Sequence, residues 1–167
     1  MQRSLLLSVA LVAALAIAQT VFLDIIAIAG VSPDLVLLVM IHVAQKQGAM
    51  HGQLTGLCAG LVEDLTSLAP LGFHSLLRLT IGFLGGLSHN KMFVDPIFVP
   101  IILVGVATVL KWLIAGLIAG VFGVDTVATA VFSRTFFIEL GYNAVLAPLV
   151  FAALNAVGPR SQRGYRP

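Results

Sequence analysis

Charge is what this sequence has least of. Asp, Glu, Lys and Arg make up 10% of its 167 residues, against 59% hydrophobic residues and a mean hydropathy of +1.08. A soluble domain is about a quarter charged, and a chain this apolar could not cover a water-facing surface with polar groups. That excludes an ordinary soluble domain. Cys58 is the single cysteine, so an internal disulfide framework is excluded, and its apolar surroundings read as those of a small packed residue. A net charge of +2 is too weak to point to nucleic acid. There is no HExxH, GxSxG, CxxC or phosphate-binding glycine loop. His42, His51, His74 and His89 lack metal-ligand spacing with one another or with Cys58. No catalytic, cofactor or metal site is therefore expected. Asp64 and His74 suit a base and its partner, but the sequence shows no nucleophile beside them, which leaves an intramembrane hydrolase as a weak option.

What is present is a succession of apolar runs. Each span needs roughly 20 apolar residues, so the length allows five to seven. The pattern predicts helices over 4–23, 33–46, 48–66, 71–87, 96–122 and 131–157, forming one transmembrane domain over 1–158 with a polar tail at 159–167. The first run contains Ala16-Ile17-Ala18 before Gln19, which resembles a signal-peptidase site. Apolar residues continue through Leu23, favouring an uncleaved helix. Ser32-Pro33-Asp34 reads as N-cap, first helical residue and first-turn acid of a short second helix. That helix is short enough to be re-entrant.

The charges decide between the two readings. If all six helices cross, Arg3, Lys46, Lys91, Arg160, Arg163 and Arg166 lie on one side. Asp24, Asp34, Glu63, Asp64 and Asp125 lie on the other, with Arg134 the exception. The positive-inside rule then places both termini in the cytoplasm. A five-span arrangement would put the arginine-bearing tail outside.

Gly48, Gly52, Gly56 and Gly60 recur every four residues, forming a stripe along one face of the third helix. In lipid, helices associate through close backbone approach at small residues. The stripe is therefore expected to pack against another span or a partner protein. Gly82, Gly85 and Gly86 form a smaller patch on the fourth helix. Charges within spans are costly and should pair inside the bundle. Arg78 is expected to pair with Glu63 or Asp64, and Lys111 with Glu139. A proton or ion relay is the competing reading, but only Glu139 approaches the mid-membrane position it would need.

Ser32-Pro33-Asp34-Leu35-Val36-Leu37-Leu38-Val39, then Gly52-x3-Gly56-x3-Gly60-x2-Glu63-Asp64 leading into Pro70-Leu71-Gly72-x-His74, resembles the rod shape-determining protein MreD family. The likeness covers nearly the whole chain and rests most on Pro33, Asp34, Asp64, Leu71 and Gly72. It implies a bacterial inner-membrane, non-enzymatic scaffold of the cell-elongation machinery that helps to regulate peptidoglycan synthesis and rod shape. Its implied direct partner is MreC, with indirect links to RodA, the elongation penicillin-binding protein and MreB, within membrane lipid. The implied fold is an all-α six-helix bundle like the substrate-binding component of energy-coupling-factor transporters. That likeness supplies the rival function, a vitamin-type transporter component. Such a component presents aromatic and polar side chains to its ligand, whereas Trp112, Tyr142 and Tyr165 are the only Trp and Tyr here.

Overall fold

The computed structural model describes residues 2–22, 27, 30–89, 95, 97–123 and 133–157. The expected tail at 159–167 lies outside them, as do Asp24, Lys91 and Asp125. Six helices make up the described chain: α1 (Gln2–Phe22), α2 (Leu35–Gln47), α3 (Ala49–Thr66), α4 (Phe73–Gly86), α5 (Phe98–Phe122) and α6 (Arg134–Val157).

The short helix α2 is the centre of the molecule. Its nine residues Val36 to Ala44 are all buried, because the other five helices all pack against it. That accounts for a stretch in which His42 is the one polar residue, since a helix hydrophobic all round is one enclosed all round. Leu37, Leu38, Met40 and Ile41 meet α4, α5 and α6 through Leu77, Ile81, Val104 and Phe151. On the other side, Val36, Val39 and Val43 meet Val12 and Ala16 of α1 and Ala59 of α3. Around α2 the outer helices follow in the order α1, α3, α4, α5, α6.

Helix α2 begins later than the sequence suggests. Its N-cap is Asp34, not Ser32: Asp34 Oδ1 accepts from the Leu37 N–H at 2.9 Å. A carboxylate at this position satisfies a first-turn donor that Ser32, two residues earlier, is too far back to reach. At the other end the chain reverses at Gly48, whose φ of +90° suits glycine. There His89 Nδ1 donates to the Gln45 carbonyl at 2.7 Å, so α2 ends level with the turn that follows α4.

The glycine stripe is consumed inside the fold. A Cβ on Gly52 would overlap the Gly82 carbonyl, one on Gly56 the Arg78 carbonyl, and one on Gly60 the backbone of His74 and Ser75. Gly82 meets Gly52 reciprocally, and Gly86 meets Ala49. Helices α3 and α4 thus touch backbone to backbone along their length, and Gly52, Gly56 and Gly60 offer no free face to a partner protein. Gly48 sits at the α2–α3 corner, where its backbone meets Gly86 at the end of that contact.

Polarity is distributed in reverse of a soluble bundle. Helix α6 turns Phe136, Glu139, Asn143, Ala147 and Phe151 inward at helical spacing, while Phe137, Val145 and Leu149 face out. Segments Phe98–Val121 and Arg134–Ala156 are long and apolar enough to cross a membrane, yet only 28% and 22% of an 18-residue apolar stretch in each is buried. An equally apolar core helix of a soluble protein would be mostly enclosed, so these surfaces suit lipid.

Replacing Gly56 by Val should force α3 and α4 apart. Overpacking typically costs about 1–3 kcal/mol, so the unfolding midpoint of the detergent-purified protein in an SDS titration should fall. Gly120→Ala, where a Cβ meets nothing within 4 Å, should leave the midpoint unchanged or raise it.

Candidate functional site

At the end of the bundle where α2 begins, five charged side chains from five helix positions converge. Asp34 is their hub. Its backbone N–H donates to Asn143 Oδ1 at 2.9 Å, and the next turn is held by Gln19 Oε1, which accepts from the Val36 N–H at 3.1 Å. With those donors anchored to α6 and α1, the Asp34 carboxylate faces α4 and α5. Arg78 Nη2 lies 3.2 Å from its Oδ1, and Lys111 Nζ lies 2.7 Å from its Oδ2. Both cations carry a second carboxylate. Arg78 Nε donates to Glu63 Oε2 at 2.6 Å, and its Nη2 also bonds Glu63 Oε1. Lys111 Nζ meets Glu139 Oε1 at 2.5 Å.

Neutral groups complete the network. Trp112 Nε1 donates to Glu139 Oε2 at 2.9 Å, and Asn143 Nδ2 donates to Thr108 Oγ1 at 3.1 Å. Asp34, Arg78 and Glu139 are each no more than 5% exposed, and Thr108 and Asn143 are fully buried. Three carboxylates face two cations, so the cluster carries one excess negative charge while His74 is neutral. His74 Nδ1 lies 3.5 Å from Glu63 Oε2.

Asp64 does something else. One turn beyond Gly60, it lies on the face of α3 that touches α4, and its carboxylate accepts from the N–H groups of Gly72, His74 and Ser75 at 3.0, 2.8 and 3.1 Å. The α4 N-cap, Gly72, has no side chain for this task and sits at φ +94°. A carboxylate from the preceding helix therefore caps α4, where it also complements the helix dipole.

Several expectations from the sequence change here. Arg78 meets Glu63 and not Asp64, because Asp64 is committed to the α4 backbone. Asp34 and Asp64, placed among outer loop acids by the linear pattern, are both 3% exposed and internally bonded. Lys111 does meet Glu139, but shares its ammonium with Asp34. A hydroxyl does stand beside Asp64: Ser75 Oγ donates to Oδ2 at 2.5 Å. It is buried and belongs to the helix cap, while the His74 ring turns to Glu63. Pro33 is buried at the entry to α2, and Leu71 is exposed in the turn before Gly72. Among the described residues no group of three His, Cys, Asp or Glu side chains is placed to hold a metal ion. His42 lies edge-on to Phe151 with ring centroids 4.9 Å apart.

The structure adds Gln19, Thr108, Trp112 and Asn143 to the site. Two of these carried a signal in the sequence. Asn143 is one turn after Glu139 and Thr108 three residues before Lys111, so each shares a face with an intramembrane charge.

A family model, rod shape-determining protein MreD, matches residues 1–157, a range that takes in all six helices. The chain belongs to the MreD family. Membership gives it a role in determining rod shape and places it among membrane proteins. No curated protein and no solved structure gives a match.

Removing one partner of a buried pair strands the other charge and typically costs about 3–5 kcal/mol. Lys111→Met should accordingly lower the SDS unfolding midpoint more than Lys111→Met combined with Asp34→Asn and Glu139→Gln. The exchange Lys111→Glu/Glu139→Lys should fail to restore wild-type stability, because a carboxylate at 111 then faces Asp34. Full recovery by the exchange would show that the Asp34–Lys111 contact contributes little.

Proposed function

We propose that this MreD-family chain is a non-enzymatic inner-membrane scaffold of the cell-elongation machinery. In this reading it binds MreC directly and connects less directly to RodA, the elongation penicillin-binding protein and MreB, helping to regulate peptidoglycan synthesis. The observation that carries the proposal is the family match over 1–157. The internal organisation agrees with a scaffold's requirements. Intramembrane charges are spent on one another, the α3–α4 seam is closed by backbone contact, and the apolar surface of α5 and α6 faces outward. A partner's transmembrane helix would meet such an outward face, since the glycine stripe is already covered by α4.

The same reading has six crossings with both termini cytoplasmic, in a bundle like the substrate-binding component of energy-coupling-factor transporters. Support for the short helix as a full crossing comes from its two ends. Asp34 lies with Arg78 of α4 at one, and Gln45 meets His89 beyond α4 at the other. Alkylation by a membrane-impermeant maleimide tests the topology in a Cys58→Ser background. Ser67→Cys should label in intact spheroplasts, and Ser88→Cys only after permeabilisation. The reverse pattern would overturn the orientation.

Co-purification with MreC tests the function. Wild-type protein should retain MreC through detergent extraction and bind no member of a vitamin panel tightly. The transporter reading has one observation in its favour, a cavity of about 340 Å³ bordered by Trp112, Arg78 and Lys111. Nanomolar vitamin binding, or association with an energising ATPase pair, would decide for that reading and against the scaffold.

A further inference from the structure

That cavity opens onto the charged network, and its polar border is formed by Asp34, Glu63, Arg78 and Lys111 together with Gln19, His74 and Trp112. Its apolar wall is made by Leu77 and Ile81 of α4 and Ala115 of α5. Ile81 also belongs to a second opening, a cleft of about 170 Å³ lined by Leu84 and Gly85 of α4 and Leu103, Val106 and Leu110 of α5. The two openings therefore lie along one seam between antiparallel helices, polar toward the start of α4 and apolar toward its end. From Leu77 to Ser88 the seam covers about 16 Å at 1.5 Å per residue, roughly half of the ~30 Å hydrocarbon core. Val106, half exposed on the outer surface, leaves the cleft open sideways.

The chemistry of the polar end is specific. Arg78 is 5% exposed, and its Nη1 is buried with no hydrogen-bond partner, whereas its Nε and Nη2 are both occupied. A buried donor of this kind calls for an acceptor. The surrounding cluster, however, has three carboxylates for two cations, so a purely anionic ligand would add to an existing negative excess. An acceptor oxygen joined to a cation satisfies both conditions: the oxygen serves Arg78, and the cation offsets Glu63. The apolar cleft below suits a hydrocarbon chain attached to that head.

We infer that the α4–α5 seam is a binding site for a zwitterionic phospholipid of the phosphoethanolamine type, with its head in the cavity at Arg78 and Glu63 and one acyl chain in the cleft below Ile81. This goes beyond the scaffold reading and does not depend on MreC, so failed co-purification leaves it standing. Trp112, the single tryptophan, borders the cavity and serves as the probe.

The full chain in detergent is titrated with phosphatidylethanolamine or phosphatidylglycerol carrying brominated acyl chains, and tryptophan fluorescence is read. Quenching should saturate, at a phosphatidylethanolamine concentration at least tenfold below that for phosphatidylglycerol. Val106→Phe, which narrows the cleft from its exposed side, should raise the required concentration severalfold. Arg78→Lys, which keeps the charge but loses Nη1, should abolish the preference between heads. If it does not fold, as judged by gel filtration, Val106→Phe decides alone. Quenching that is equal for both lipids or does not saturate would overturn the site as annular lipid only. Complete competition by water-soluble phosphoethanolamine, with no effect of Val106→Phe, would overturn the lipid in favour of a small solute.

Discussion

The Asp34 carboxylate is the point on which the rest of this bundle depends. It terminates the central helix, receives a cation from α4 and another from α5, and is fixed through its own N–H to α6. In a low-dielectric interior such charges interact strongly, but each is also costly to bury alone. The arrangement answers that cost by sharing: each of the two cations touches two carboxylates, and Glu139 is further held by Trp112. Four of the six helices are joined through Asp34, Arg78, Lys111, Glu139 and Asn143, and α1 and α3 join through Gln19 and Glu63. The polar end of the bundle behaves as one unit.

The other end and the middle are organised by shape. Helix α2 contributes apolar side chains in nearly every direction, so packing orients its middle, and the Gln45–His89 bond holds its end. Helices α3 and α4 approach until their backbones touch, which only glycine permits. That approach also presses the Arg78 backbone against Gly56, and so aims the guanidinium at Glu63 and Asp34. The glycine stripe and the ionic network are two parts of one device, with close contact setting the position of a charge.

A membrane protein gains little from hydrophobic burial between helices, because lipid is as apolar as leucine. The division of labour seen here follows from that. Uniqueness comes from polar contacts that have one good geometry and from glycines that have one good register. The outward leucines and valines of α5 and α6 need only be apolar. What a scaffold of the elongation machinery would offer to other membrane proteins is that outer surface, held still by the internal charges and glycines.

Much of this was legible in the linear chain. The scarcity of charge, the six apolar runs and the family-like Pro33-Asp34 and Leu71-Gly72 motifs are properties of local composition, and local composition determines helices and their preference for lipid. The Lys111–Glu139 contact was also within reach, since both lie inside apolar runs where a charge must find another. What only the tertiary structure decided is where the loop-like acids go. Asp34 and Asp64 stand at helix ends, where the linear pattern reads one as a first-turn acid and the other as a partner for Arg78, both on the acidic side of the membrane. Whether such an end faces water or the core depends on which helices surround it, a long-range fact. The structure turns both inward, one as the hub of the charges and the other as the cap of a helix whose own N-cap is a glycine.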